Sequence, residues 1–260
     1  MSTPVATIDT QRPGIPMSRL VRVELRKLVD TRAGFWLVIS MGIIAVLITA
    51  GLLIFGDDAF LTYGTMAGLM NIPTGFLLPV LAILLVTSEW NQRTGLVTFT
   101  LEPRRSRVVV AKLIVGFIAA LAATVLALVV GAGGNVLAGV FHDAPAGDWD
   151  MTVAGVSNMV ILQLLGMLMG FGFAMLLMNS AAAIVLYFAL PTVWSIIAAV
   201  VPWLRENLQE WLDFGFAQVP LQSGEWATGD EWARLATSGT LWLVIPLALG
   251  IWRLLRSEVK

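Results

Sequence analysis

Few residues in this chain could do chemistry, and they are unevenly placed. Cysteine is absent and His142 is the only histidine among 260 residues. That removes disulfides and thiolate metal sites, and it argues against a histidine-based metal centre. The patterns G-x-x-x-x-G-K-[ST], G-x-S-x-G, H-E-x-x-H and C-x-x-C do not occur, so the chain has no P-loop of its own and no recognisable hydrolytic or redox motif. Asp143, Asp148 and Asp150 are the only acids that suggest a catalytic cluster, and they read better as a solvated acidic loop. What remains is one charged stretch, EWNQRTGLVTFTLEPRRSR, from Glu89 to Arg107. Residues 59–88 before it and 113–141 after Lys112 carry no charge. Its chemistry is that of docking: the apolar run 96–101, flanked by Arg93, Arg104, Arg105 and Arg107, offers a small greasy element with a basic surround. By charge alone, an ordinary basic loop beside a membrane is the better reading.

The elements that must hold this stretch are membrane spans. The chain is 58% hydrophobic and 13% charged, well below the roughly 25% charge of soluble domains. About twenty apolar residues cross a bilayer as a helix, because backbone groups in lipid must bond within their own segment. The charge-free runs 33–56, 59–88, 113–141, 151–204 and 235–252 therefore predict six spans, the fourth run holding two separated near Met178-Asn179-Ser180. Their expected limits are about 34–56, 62–88, 113–140, 152–177, 181–202 and 236–254. The fold class is thus an all-α polytopic membrane protein, its transmembrane domain covering 33–256. The first apolar run is too long for a signal-peptide core and reads as a retained span.

Six spans put both termini on one side. Fourteen of the sixteen basic residues fall there: Arg12, Arg19, Arg22, Arg26, Lys27 and Arg32, then Arg93, Arg104, Arg105, Arg107 and Lys112, then Arg253, Arg256 and Lys260. The other side has Arg205 and Arg234 with most of the acids. The positive-inside rule makes the first side cytoplasmic, so the expected topology is N-in/C-in.

Around the spans, 1–16 reads as a flexible leader and 257–260 as a short tail. Residues 17–32 predict a basic amphipathic helix in the cytoplasmic interface, with Met17, Leu20, Val21, Leu25, Leu28 and Val29 on its apolar face,. Residues 202–236 predict an external helical segment that either lies in the outer headgroup layer or caps the helix ends. Asn71, Asn135, Asn158, Gln163 and Asn179 are the polar groups inside the spans, with no charge mid-span. That weighs against an ion-coupled carrier. Gly64/Gly68 and Gly166/Gly170 are small-xxx-small pairs that allow close helix approach, within the chain or between subunits,. Pro73, Pro79 and Pro191 predict kinks, and Ser106 predicts the cap of the helix leading into span three,.

The segment 89–112 resembles the first cytoplasmic loop of ABC-2 type transporter permeases. Glu89, Arg93, Thr94-Gly95-Leu96, Glu102-Pro103 and Ser106-Arg107 through Lys112 carry the likeness. Thr94-Gly95-Leu96 stands where that family more often has Gly-Thr-Leu. The six-span layout, basic entry helix and large last external loop are similar too. The resemblance implies a non-enzymatic membrane subunit of a bacterial exporter in the plasma membrane. Its partners would be two copies of an ABC ATPase subunit, which bind the ATP and Mg, and a second permease subunit; no nucleic acid is implied and this chain would bind no cofactor. Glu89, Arg93, Gly95, Leu96, Phe99, Leu101, Glu102, Pro103, Arg104, Arg105, Ser106, Arg107 and Lys112 would form the ATPase-coupling loop. An amphipathic drug, peptide or lipid would be the cargo. A carrier or channel without an ATPase, and a membrane-embedded enzyme or scaffold, are the alternatives.

Overall fold

The computed structural model describes residues 14–92, 95–143 and 145–256; Arg93, the leader up to residue 13 and the tail 257–260 lie outside the described residues. Among these residues every regular element is helical, and six helices are long and apolar enough to cross a membrane: Arg32–Phe55, Tyr63–Asn91, Arg105–Phe141, Val153–Leu177, Ser180–Val200 and Gly229–Arg256.

Before the first of these lies α1 (Met17–Asp30), an amphipathic helix. The chain turns sharply into α2 (Arg32–Phe55), whose first turn is capped by the Thr31 hydroxyl accepting from Gly34 N–H at 3.1 Å. Gly34 is required there, because a side chain would run into the backbone carbonyl of Leu28. Span two is split into α3 (Tyr63–Leu69) and α4 (Asn71–Asn91), which meet at Met70. Pro73 supplies the reason: it has no N–H to give to the carbonyl of Leu69 four residues back. Pro79 sits inside α4, and Pro191 inside α8 (Ser180–Val200), without ending either helix.

The charged segment is mostly helix rather than loop. α4 runs on through Glu89 to Asn91, α5 (Gly95–Leu101) is a short helix, and α6 (Arg105–Phe141) starts well before Lys112. The expected loop 89–112 therefore contracts to α5 and its two short links. Ser106 makes no cap; it lies inside the first turn of α6. Glu102 serves that end instead, its Oε1 accepting from Arg104 N–H at 3.4 Å.

α7 (Val153–Leu177) is the pillar of the bundle, packing most extensively on α4 and on α13 (Ile245–Arg256). Backbones come very close here. A Cβ on Gly170 would stand 2.9 Å from Pro79 O, and one on Gly250 would meet Met175 Cβ at 2.8 Å and Gly172 O at 2.9 Å. The Gly166/Gly170 pair thus serves packing within the chain. The chain reverses after α7 at Met178, in the left-handed conformation with φ 52°, and Asn179 caps α8 through Ala182 N–H at 3.0 Å.

The segment after α8 folds back onto the bundle. α9 (Pro202–Asn207), α10 (Gln209–Leu212), α11 (Phe214–Ala217) and a 3₁₀ turn at Val219–Gln222 bury Phe214, Ala217 and Leu221 in the main core. Asp213, itself buried, caps α11 by accepting from Phe216 N–H at 3.0 Å, and Trp242 Nε1 donates to Leu212 O at 2.7 Å. The last span begins earlier than its apolar run, with α12 (Gly229–Gly239) started by a capping box of Thr228 and Glu231. A π-helical turn, Thr240–Val244, joins it to α13,.

Candidate functional site

The bundle has two distinct ends. At one, Arg105 Nη1 donates to the Leu254 carbonyl at 2.8 Å, and Arg107 donates to Ile15 O. The start of α1, the α5 region and the end of α13 are therefore neighbours. The other end is stitched by Tyr63 N–H to Asp148 O at 2.9 Å, Gly147 N–H to Leu61 O at 2.9 Å and Gly64 N–H to Asp150 Oδ1 at 2.6 Å. His142 joins it through Asp58 Oδ1 at 2.9 Å and Leu53 O at 3.0 Å. The acidic loop is structural stitching, and among the described residues no group of acids and histidine could hold a metal.

At the basic end, the structure gathers four charges that the sequence scatters over 88 positions. Glu24 lies on α1, Glu89 near the end of α4 and Lys112 in α6; each is buried, at 4%, 2% and 4% exposure. Lys112 Nζ stands 2.6 Å from Glu24 Oε2 and 2.8 Å from Glu89 Oε1, and donates to Leu85 O at 2.7 Å. Lys27, one turn on from Glu24, reaches Glu24 Oε1 at 2.7 Å and Glu89 Oε1 at 3.1 Å. Two acids and two bases make a cluster with no formal charge, in which each carboxylate meets both ammonium groups. Taking charges out of water is costly, and only close, mutual pairing of this kind offsets it.

The pairing shows in how Lys27 titrates. Burial opposes its charge, yet the carboxylates of Glu89 and Glu24 outweigh burial and raise its pKa above the usual lysine value,. Its contribution to stability is thus complete below the ordinary lysine pKa and is lost only as pH rises through the raised value.

Glu24 was not legible as a site residue because it sits on the apolar face of α1 beside Lys27, an ordinary one-turn pair, while Lys112 and Glu89 lie far along the chain. The buried face of α1 runs through Glu24 and Leu28, with Val21 and Leu25 packed beside them, while Val29 points out. The one available signal was an acid in the middle of an otherwise greasy stripe.

The expected coupling residues separate into two groups. Glu89 and Lys112 are internal struts that a partner could not touch. Glu102 is buried too, and pairs with Arg107 at 2.6 Å across the link from α5 to α6. Arg105 and Arg107 are engaged with Leu254 and Ile15 as above. Leu101, Pro103, Arg104 and Ser106 are exposed. Gly95, Leu96 and Phe99 belong to α5, but the side chains of Leu96 and Phe99 lie outside the described residues, as does Arg93. Val97 and Leu101 leave 60% and 67% of their surface to solvent. A cavity of about 380 Å³ separates α5 from α1, so the short helix stands off the bundle, held at its ends. The four charges clamp α1 to α4 and α6, the two helices between which α5 is strung.

No family model matches the chain, and no curated protein sequence matches it.

Proposed function

We propose that the chain is the permease subunit of an ATP-driven exporter, embedded in a bacterial plasma membrane. One observation carries the reading: α5, a short helix between spans two and three at the basic end, leaves Val97 and Leu101 exposed along the open cavity it shares with α1. Exposed apolar side chains on a helix tied to two spans suit a groove in a partner. In this reading the partner is an ABC ATPase, present in two copies and binding the ATP and Mg. A second permease chain completes the pathway. α8 leaves room for one, since it buries only Ala183 and Ala198 within its own chain.

The test is whether the α5 tip binds the ATPase. Leu101→Asp would place an unpaired charge in the contact and cost about 2 kcal/mol or more, roughly thirtyfold in affinity. Arg104→Glu alters an exposed charge and should cost at most about fivefold. Neither change touches a span, so membrane levels should hold. Co-purification of an ABC ATPase co-expressed with this chain, and the hydrolysis it couples, should fall together in Leu101→Asp. Wild-type levels of both would leave α5 a mere linker.

The same reading puts the basic end in the cytoplasm. Single cysteines introduced at Thr100 and Arg256 should react with an impermeant maleimide only in opened cells, and one at Gln222 in intact cells. The reverse pattern would end the assignment of sides.

A further inference from the structure

At the end opposite the charge cluster lies a cavity of about 770 Å³, open to one side and walled by α3 and α4, α7, α8 and the turn 218–224. One wall is a row of glycines: at Gly68 and Gly75 an added Cβ would meet nothing within 4 Å. The facing wall runs from Asp150 and Thr152, just before α7, down that helix to Gln163 and Gly166. At 1.5 Å per residue, Gln163 stands about 16 Å below Thr152.

The two ends of this cavity differ in chemistry. At the mouth, the exposed Asp150 spends one oxygen on Gly64 N–H at 2.6 Å and makes no ion pair with any described residue. At the floor, Gln163 is 2% exposed, and its amide donates to Asn71 Oδ1 at 3.0 Å and to the Thr74 hydroxyl. Its Oε1 accepts from no described residue. A buried acceptor left unpaired costs about 1–3 kcal/mol, which a donor delivered into the cavity would recover. Tyr187 lines the same floor, and beside it Phe76 and Phe188 stack with ring centroids 5.7 Å apart. Floor and mouth thus ask for different groups: an aromatic or apolar body with an N–H or O–H donor below, and a cation above.

The geometry points to a binding site for an elongated amphiphilic ammonium compound. Its ammonium sits beside Asp150, its body lies along the Gly68–Gly75 wall, and a donor at its far end meets Gln163 Oε1. The site is independent of any ATPase and can be tested on this chain alone.

The probe is a dansyl-labelled α,ω-diaminodecane, which carries an ammonium at one end and a sulfonamide N–H beside an aromatic ring at the other. Purified full-length chain in phosphatidylcholine nanodiscs should give saturable enhancement of dansyl emission above that of empty nanodiscs. Gly75→Leu fills open space, so its melting temperature should hold while probe affinity falls about tenfold or more. Asp150→Asn keeps the acceptor for Gly64 N–H and removes the charge. It should weaken the probe about threefold and leave the decyl dansylamide lacking the amine unaffected. Adding phosphatidylethanolamine separates the sources: competition assigns the site to a lipid amine, and its absence to a free one. Non-saturating emission, or equal affinity in wild type and a folded Gly75→Leu, would overturn the site.

Discussion

Replacing Lys112 by methionine should destabilise the protein by about 3–5 kcal/mol, because it strands two buried carboxylates with one ammonium between them. Lys112, like Lys27, touches both acids, and it also donates to the Leu85 carbonyl. The loss should appear as a fall in melting temperature in detergent and in the amount of chain recovered from membranes. Adding Glu24→Gln to that variant leaves the Lys27–Glu89 pair, at 3.1 Å, as a balanced remnant. The double variant should therefore be more stable than Lys112→Met alone, a coupling that independent sites would not show. Should Lys112→Met melt within about 1 kcal/mol of wild type, the cluster is solvated. α1 is then not locked to the spans.

The second large effect is steric. Gly250→Leu should force α7 and α13 apart, since the neighbours of the new Cβ are Met175 Cβ, Gly172 O and Leu176 N, all within 2.9 Å and two of them backbone. Backbone cannot rotate aside, so the cost should reach the upper end of overpacking, about 3 kcal/mol. Gly68→Leu makes the same change where nothing lies within 4 Å, and it should leave the melting temperature unchanged. Equal melting temperatures for the two variants would mean that the helices separate easily. α7 would then not be a rigid pillar.

The membrane-spanning helices were legible because hydrocarbon imposes one rule on all of them: no charge, and about twenty residues. Reversal at Met178 and Asn179 was readable for the same reason, as a brief rise in polarity that ends in a cap. Where water or protein, and not lipid, decides, the sequence is less explicit. The last span begins at Gly229, because a capping box and an amphipathic first stretch continue a helix beyond the apolar run. The first turns of α6 are helical although charged, since the helix continues past the apolar run that marked its span.

The candidate site was half legible. A charged interruption between apolar runs located it. It could not reveal that Glu89 and Lys112 face inward, because the two charges that complete their cluster, Glu24 and Lys27, are on α1, far back in the chain. Glu24 has Lys27 one turn away, but nothing local marks it as buried against Lys112. Outer polar groups followed the same logic. Asn158 donates to Glu225 O at 2.7 Å, and Asn135 to Gly147 O at 3.0 Å, contacts set by loop paths that no periodicity encodes.

The four-charge cluster also orders events during synthesis. Glu24 leaves the ribosome 88 residues before Lys112, so at about 5–20 residues per second its partner is roughly 4–18 s behind. Through that interval α1 must wait at the bilayer surface with its acid and its lysine satisfied only by each other and by water, while span two inserts. Emergence of the start of α6 completes the set. Until Lys112 arrives, the carboxylates of Glu24 and Glu89 have the single ammonium of Lys27 to share.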